Sequence, residues 1–243
     1  MLILRLVFPR ASAAQRRRLV HWWSAKLMRI CGVAVHAEGT PPGAGEPAMV
    51  AANHVSWLDI FAISSAHPTR FIAKSEVRDW PLAGWIAERA GTLFIRRDRR
   101  RDTARINDMV HEALGRGDCV GLFPEGTTTE GDRILKFHSS LFEPAVANGA
   151  RVYPAAIRYQ HADGSLCRAI AYVGELSFVQ SLALVLRQRH VVARISFAPV
   201  IDAARLGRRE IAAAAQARVA TLLNVPQPDT APRRASGPQD AAP

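Results

Sequence analysis

In this 243-residue chain, His54 and Asp59 carry the clearest chemical potential, inside Asn53-His54-Val55-Ser56-Trp57-Leu58-Asp59. A neutral imidazole can take a proton from a hydroxyl, and a carboxylate can hold the other ring nitrogen and stabilise the charged form. On a continuous helix a five-residue offset amounts to about 500°, leaving the two side chains roughly 140° apart. The groups can meet if His54 lies on a loop leaving a strand and Asp59 in the first turn of the next helix. The plainer reading is a helix cap, with Ser56 best suited to capping.

A second stretch, Phe123-Pro124-Glu125-Gly126-Thr127-Thr128-Thr129, follows an apolar run. Proline ends a strand and glycine permits a tight turn. Glu125 and nearby backbone N–H groups would then lie at a strand's carboxyl end, where open α/β sheets place their ligands. An ordinary turn with a solvated glutamate has the same composition. A third stretch, Gly91-Thr92-Leu93-Phe94-Ile95-Arg96-Arg97, closes another apolar run with two guanidinium groups. The planar fork of arginine can bond two oxygens of a phosphate or carboxylate at once. Lys74, after the run 71–73, is a further anion ligand by type. Arg99, Arg100 and Arg101 fit a solvated helix start.

Several chemistries find no support. There is no Gly-x-Ser-x-Gly elbow for a serine acyl-enzyme, and no GxxxxGK[ST] or GxGxxG loop for a nucleotide. Neither HExxH nor a paired-His spacing points to a metal. The three cysteines, Cys31, Cys119 and Cys167, are widely spaced and form no CxxC pair. That pattern argues against a disulfide framework or structural zinc and suits a reducing compartment.

Elements able to position these groups follow from periodicity. Short apolar runs recur at 49–52, 71–73, 92–95, 119–123, 152–157, 169–173 and 191–197, with helical patterns at 58–65, 81–90, 101–116 and 141–148. This alternation predicts one layered α/β domain with a central mixed, largely parallel sheet flanked by helices. Residues 176–187 read as another helix or a second membrane-facing patch, and 208–223 as an Ala-rich helix. Ahead of the domain, Leu19, Trp22, Trp23, Leu27 and Ile30 form one apolar stripe on a helix expected over 11–31. Arg17 and Arg18 lie off the stripe, which suits an amphipathic helix on an acidic membrane surface. Packing on the domain's own core is the alternative. The expected organisation is an N-terminal helical segment over 1–38, a main domain over 48–225 after the Gly/Pro-rich turn at 39–47, and a disordered tail over 226–243.

Composition bounds the partners. Lys and Arg number 32 against 21 Asp and Glu, a formal charge of +11, which favours an anionic partner. The Arg runs lack the interleaved aromatics of a single-strand platform, so nucleic acid is not expected. No stretch reaches the 18 apolar residues of an ordinary transmembrane helix. The apolar start, residues 1–8, is broken by Arg5 and does not read as a signal peptide.

Taken together, the blocks resemble the glycerolipid acyltransferase family, which includes lysophosphatidic acid acyltransferases. Residues 53–59 match its NHxSxxD box, 91–97 resemble its GxxFIxR block, 123–127 match FPEGT, and Val152-Tyr153-Pro154-Ala155-Ala156-Ile157 resembles its fourth block. All four occur in the family's order. The resemblance implies a direct O-acyl transfer without cofactor or metal, from acyl-CoA or acyl-carrier protein to a lysolipid hydroxyl. His54 would act as base and Asp59 would orient it. Glu125, Gly126 and Thr127 would help bind the acceptor, and Lys74, Arg96 and Arg97 would hold an anionic headgroup. It also implies a peripheral or monotopic enzyme on the cytoplasmic face of the inner membrane.

One position departs from the pattern. Phosphate-acceptor members commonly continue FPEGT with an arginine, and this chain has Thr128. The run through Ser139-Ser140-Leu141-Phe142 looks more like the branch that includes lyso-ornithine lipid acyltransferases. Two acceptors therefore stand side by side: 1-acyl-glycerol-3-phosphate, giving phosphatidic acid, and lyso-ornithine lipid. A non-catalytic basic membrane-binding protein and a hydrolase using the same His-Asp pair are the readings from other classes.

Overall fold

The computed structural model describes residues 12–74, 84, 92–95 and 100–228. Arg96 and Arg97, the helix expected over 81–90 apart from Gly84, and the tail beyond 228 lie outside the described residues. The strands are β1 Val33–Glu38, β2 Ala48–Ala52, β3 Arg70–Lys74, β4 Leu93–Ile95, β5 Cys119–Leu122, β6 Arg151–Gln160, β7 Val191–Phe197 and β8 Ile201–Asp202. The α-helices are α1 Ala13–Ile30, α2 Asp59–Ala66, α3 Arg100–Gly115, α4 Glu143–Asn148, α5 Phe178–Arg187 and α6 Arg208–Leu223.

These strands form one sheet in the order β1-β7-β6-β2-β5-β3-β4, with β8 also on β6. β6, β2, β5, β3 and β4 run parallel, while β7 and β8 are antiparallel to β6 and β1 is parallel to β7. The expected mixed, largely parallel sheet is the one observed. β2 is buried at every position, because alternate side chains of a strand point to opposite faces and both faces here are covered. Ala48, Val50 and Ala52 join the core beneath α1 and α2, with Met28, Leu58, Phe61 and Ile63. Met49 and Ala51 join the opposite core, with Leu114 of α3, Ala145 of α4 and Ile211 and Leu223 of α6. Pro154 is tolerated inside β6 because it stands where the antiparallel partner changes, between Val152 on β8 and Ala155 on β7.

Three expectations are corrected. The run 169–173 is not a strand: Arg168–Ile170 is a short 3-10 turn, and Tyr172 N–H donates to the Val55 carbonyl at 2.9 Å. Its backbone is taken up by the His54 loop rather than by a ladder. Residues 33–38, assigned to the N-terminal helical segment, are an edge strand of the sheet in register with Val191 to Ser196. The segment before the Gly/Pro turn is therefore part of the domain. Finally, the apolar stripe of α1 divides. Trp23 and Leu27 pack against the core, whereas Trp22 is 54% exposed and Ile30 60%.

Candidate active site

β2 and β5 are adjacent and parallel, so their carboxyl ends deliver residues 53–59 and 123–129 to the same side of the sheet. The chain between β2 and α2 is a loop that winds around the Asp59 carboxylate. His54 Nδ1 lies 2.8 Å from Asp59 Oδ2, and the Val55 and Ser56 N–H groups donate to the same oxygen at 2.7 and 2.9 Å. Asp59 opens α2, where the positive end of the helix dipole favours its charge. With the carboxylate accepting at Nδ1, that nitrogen carries the ring proton, and Nε2 is left as the atom able to take another.

The backbone also explains why Ser56 is not the cap. Helix α2 has no side-chain cap hydrogen bond, and buried Ser56 Oγ has no hydrogen-bond partner. Asp59 instead gathers the loop ahead of the helix, through the Val55 and Ser56 N–H groups, while it holds His54.

The imidazole is fixed from below. His54 stacks on Phe123 with centroids 4.0 Å apart and planes 4° from parallel, and Phe71 stacks on Phe123 at 5.2 Å. Gly121 makes room for this column, since a Cβ there would come within 2.5 Å of Phe71 Cε1.

Glu125 is not the solvated glutamate of an ordinary turn. It is 4% exposed and its carboxylate is already occupied. Oε1 accepts from His54 N–H at 2.8 Å, and Oε2 accepts from Leu135 N–H at 2.9 Å. Glu125 therefore braces the histidine's backbone through one carboxylate oxygen and the Leu135 backbone through the other. Burial pushes its carboxyl up to about 7, against the opposing pull of those two N–H bonds, and the nearby Asp59 charge raises it further. Thr129 completes the brace, its N–H donating to the His54 carbonyl at 2.9 Å. Gly126 turns the chain with φ +75°, beside the ring of His138. Gly126 and Thr127 are exposed on this loop. Thr128 Oγ1 donates to the Tyr172 carbonyl at 2.5 Å. Lys74 ends β3, with its backbone opposite Ile95 of β4, and Arg96 and Arg97 lie outside the described residues.

Two contributors escaped the sequence reading. Asn53 pins the loop to β6, its amide donating to the Ile157 carbonyl at 3.0 Å and accepting from Ile157 N–H at 2.8 Å. Tyr159 Oη donates to Asp59 Oδ1 at 2.8 Å from 100 residues away. No periodicity connects residues so distant. The extra length of β6 beyond Ile157 is what brings Tyr159 into reach.

A histidine held by a buried carboxylate, at the carboxyl ends of a parallel sheet, defines a site for base-assisted transfer to a hydroxyl. Residues 32–158 match the family described as Acyltransferase, and the chain belongs to that family. It is 39% identical over 221 residues to the lyso-ornithine lipid O-acyltransferase of Pseudomonas aeruginosa, covering 91% of this chain and 84% of that one. It is 42% identical over 156 residues to the 1-acyl-sn-glycerol-3-phosphate acyltransferase of Neisseria meningitidis, covering 64% of this chain and 61% of that one. The crystal structure of the 1-acyl-sn-glycerophosphate acyltransferase of Thermotoga maritima shares the fold, with a TM-score of 0.61 at 20% identity over 86% of this chain and 78% of the other.

Proposed function

We propose that this enzyme transfers a fatty acyl chain from the thioester of acyl-CoA or acyl-carrier protein to the hydroxyl of a lysolipid, with no metal or other cofactor. The observation that carries the mechanism is the 2.8 Å contact between His54 Nδ1 and Asp59, which turns Nε2 to the reaction. Nε2 takes the proton of the acceptor hydroxyl as its oxygen attacks the thioester carbonyl. The C–S bond then breaks, and the leaving sulfur takes the proton from Nε2, which restores the neutral imidazole. The ester and the free thiol are the products. Asp59 stabilises the transient imidazolium without itself taking the proton.

Lyso-ornithine lipid is the favoured acceptor. A phosphate is best held by an arginine fork, and the position after FPEGT is Thr128, whose hydroxyl is committed to the Tyr172 carbonyl. The similarity to the Pseudomonas lyso-ornithine lipid enzyme also runs over 91% of the chain, against 64% for the Neisseria phosphate-acceptor enzyme. The second reading, 1-acyl-glycerol-3-phosphate, rests on the 42% identity to that latter relative and on Arg96 and Arg97.

The acceptor's place is a membrane, and the reading adopted is peripheral association with the acidic cytoplasmic leaflet. No helix among the described residues is long and apolar enough to cross a membrane. α1 contains Arg16, Arg17, Arg18, Lys26 and Arg29 and no acidic residue, and it exposes Trp22 and Ile30. α5 exposes Val179 (73%) and Leu186 (53%). It is tied to the histidine loop by Trp57, whose Nε1 donates to Ser181 Oγ at 3.1 Å and whose ring meets Phe178 edge-on at 5.1 Å. Exposed apolar groups among cations suit an anionic bilayer surface.

The test is one assay. Purified protein is given labelled acyl-CoA and acyl-carrier-protein donors with a panel of lysolipids that includes both acceptors, and products are read by mass spectrometry. Ornithine lipid as the main product is the expected result. Free fatty acid released without need of an acceptor would instead establish a hydrolase.

A further inference from the structure

Strand β6 holds both ends of the histidine loop. Its Ile157 backbone is clasped by the Asn53 side chain, and two residues on, along the same face of the strand, Tyr159 Oη reaches Asp59 Oδ1 at 2.8 Å. Asp59 Oδ2 is shared by His54 and two backbone N–H groups. Among the described residues, Tyr159 is the side chain that engages the other oxygen. Asp59 is wholly buried and Tyr159 is 1% exposed, so water does not compete for this bond.

We propose that Tyr159, outside all four sequence blocks, is a positioning residue for the transfer: its hydroxyl fixes the Asp59 carboxylate so that Oδ2 faces His54 Nδ1. This rests on the acyl-transfer reading for its catalytic consequence but not for its effect on His54. A carboxylate held at one oxygen can rotate about its Cβ–Cγ bond, and a donor on each oxygen removes that freedom. Tyr159 does not take part in the proton transfer. Burial and the adjacent Asp59 charge push its phenol well above the ordinary value of 10, so it stays a donor throughout. The titratable groups facing the cluster are His54 and Glu125 from the two loops and Cys31 from the end of α1. The Cys31 thiol is raised by its own burial and stays neutral.

The removal of the hydroxyl leaves Asp59 one donor short. Its charge then falls more heavily on His54 and favours the protonated ring. Tyr159→Phe keeps the aromatic ring in the core and deletes one oxygen. Hydrogen bonds to charged groups contribute enough to predict a kcat loss of about 10–100-fold with KM unchanged. The acid limb of the pH profile should move to higher pH.

The experiment is a double-mutant cycle of Tyr159→Phe and Asp59→Asn, read as kcat and KM, with the His54 ring titrated by NMR in the unsubstituted protein and in Tyr159→Phe. A positioning role predicts that Tyr159→Phe costs nothing further once Asp59 is Asn, and that the ring titrates at higher pH in the single variant. Additive losses, a change in KM with kcat preserved, or an unmoved ring titration would overturn it. The NMR arm needs no turnover. If no lysolipid is acylated by the unsubstituted protein, the functional reading fails while the Tyr159 proposal is still decided.

Discussion

Phe123 lies flat against His54, its ring centroid 4.0 Å away and its plane 4° from parallel. β5 ends at Leu122 and Pro124 turns the chain, so the same short stretch sets the floor under the base and the brace, Glu125, behind it.

That column can be disturbed from a distance. A methyl group at Gly121 would stand 2.5 Å from Phe71 Cε1, and Phe71 supports Phe123. Gly121→Ala should therefore destabilise the fold by about 1–3 kcal/mol, the usual cost of overpacking, and lower kcat by tilting the imidazole. Thermal unfolding and steady-state kinetics on the same preparation check it. Unchanged values of both would mean that the stack does not position His54.

Glu125 makes stability depend on pH. Its carboxyl is raised from 4.5 to about 7 in the folded chain, so between those values the folded state holds a proton that the unfolded state has lost. Its contribution is fully present below about pH 4.5 and is lost as pH rises through about 7. The total is on the order of 3 kcal/mol. Glu125→Gln should remove this downward slope. Denaturant unfolding of both proteins across that window provides the comparison. Parallel stability curves would show that the carboxyl is not raised.

The proposed membrane contact predicts a part for Trp22 on α1 and Val179 on α5, both exposed. Each large apolar side chain that is buried contributes roughly 1.5–3 kcal/mol. Trp22→Glu with Val179→Glu should thus reduce flotation with phosphatidylglycerol vesicles by at least about tenfold, with melting temperature preserved. Equal flotation would place the lipid contact elsewhere.

Much of this was legible beforehand, for identifiable reasons. The sheet's centre announces itself because residues 48–52 are apolar throughout, as a strand buried on both faces must be. The His54–Asp59 pairing is local, and a loop leaving a strand is the geometry that lets a five-residue offset close. β1 was hidden because an edge strand needs no continuous apolar run: Val33–Glu38 has only one buried residue. The bracing role of Glu125 was hidden because a glutamate beside glycine in a turn looks solvated, and the two backbone N–H groups that hold it come from positions 71 residues before and 10 after. Tyr159 was silent because its function depends on a contact across 100 residues, which only the parallel pairing of β2 with β6 creates.

The central claim is that His54 Nε2 takes the proton of the acceptor hydroxyl. It is tested most directly by measuring acyl transfer from a labelled thioester to lyso-ornithine lipid with the unsubstituted protein and with His54→Ala. The predicted result is a fall in kcat of at least 10²–10⁴-fold, the usual contribution of a general base, with the melting temperature and vesicle binding retained. Folded, lipid-bound His54→Ala protein that transfers the acyl chain at the original rate would contradict it.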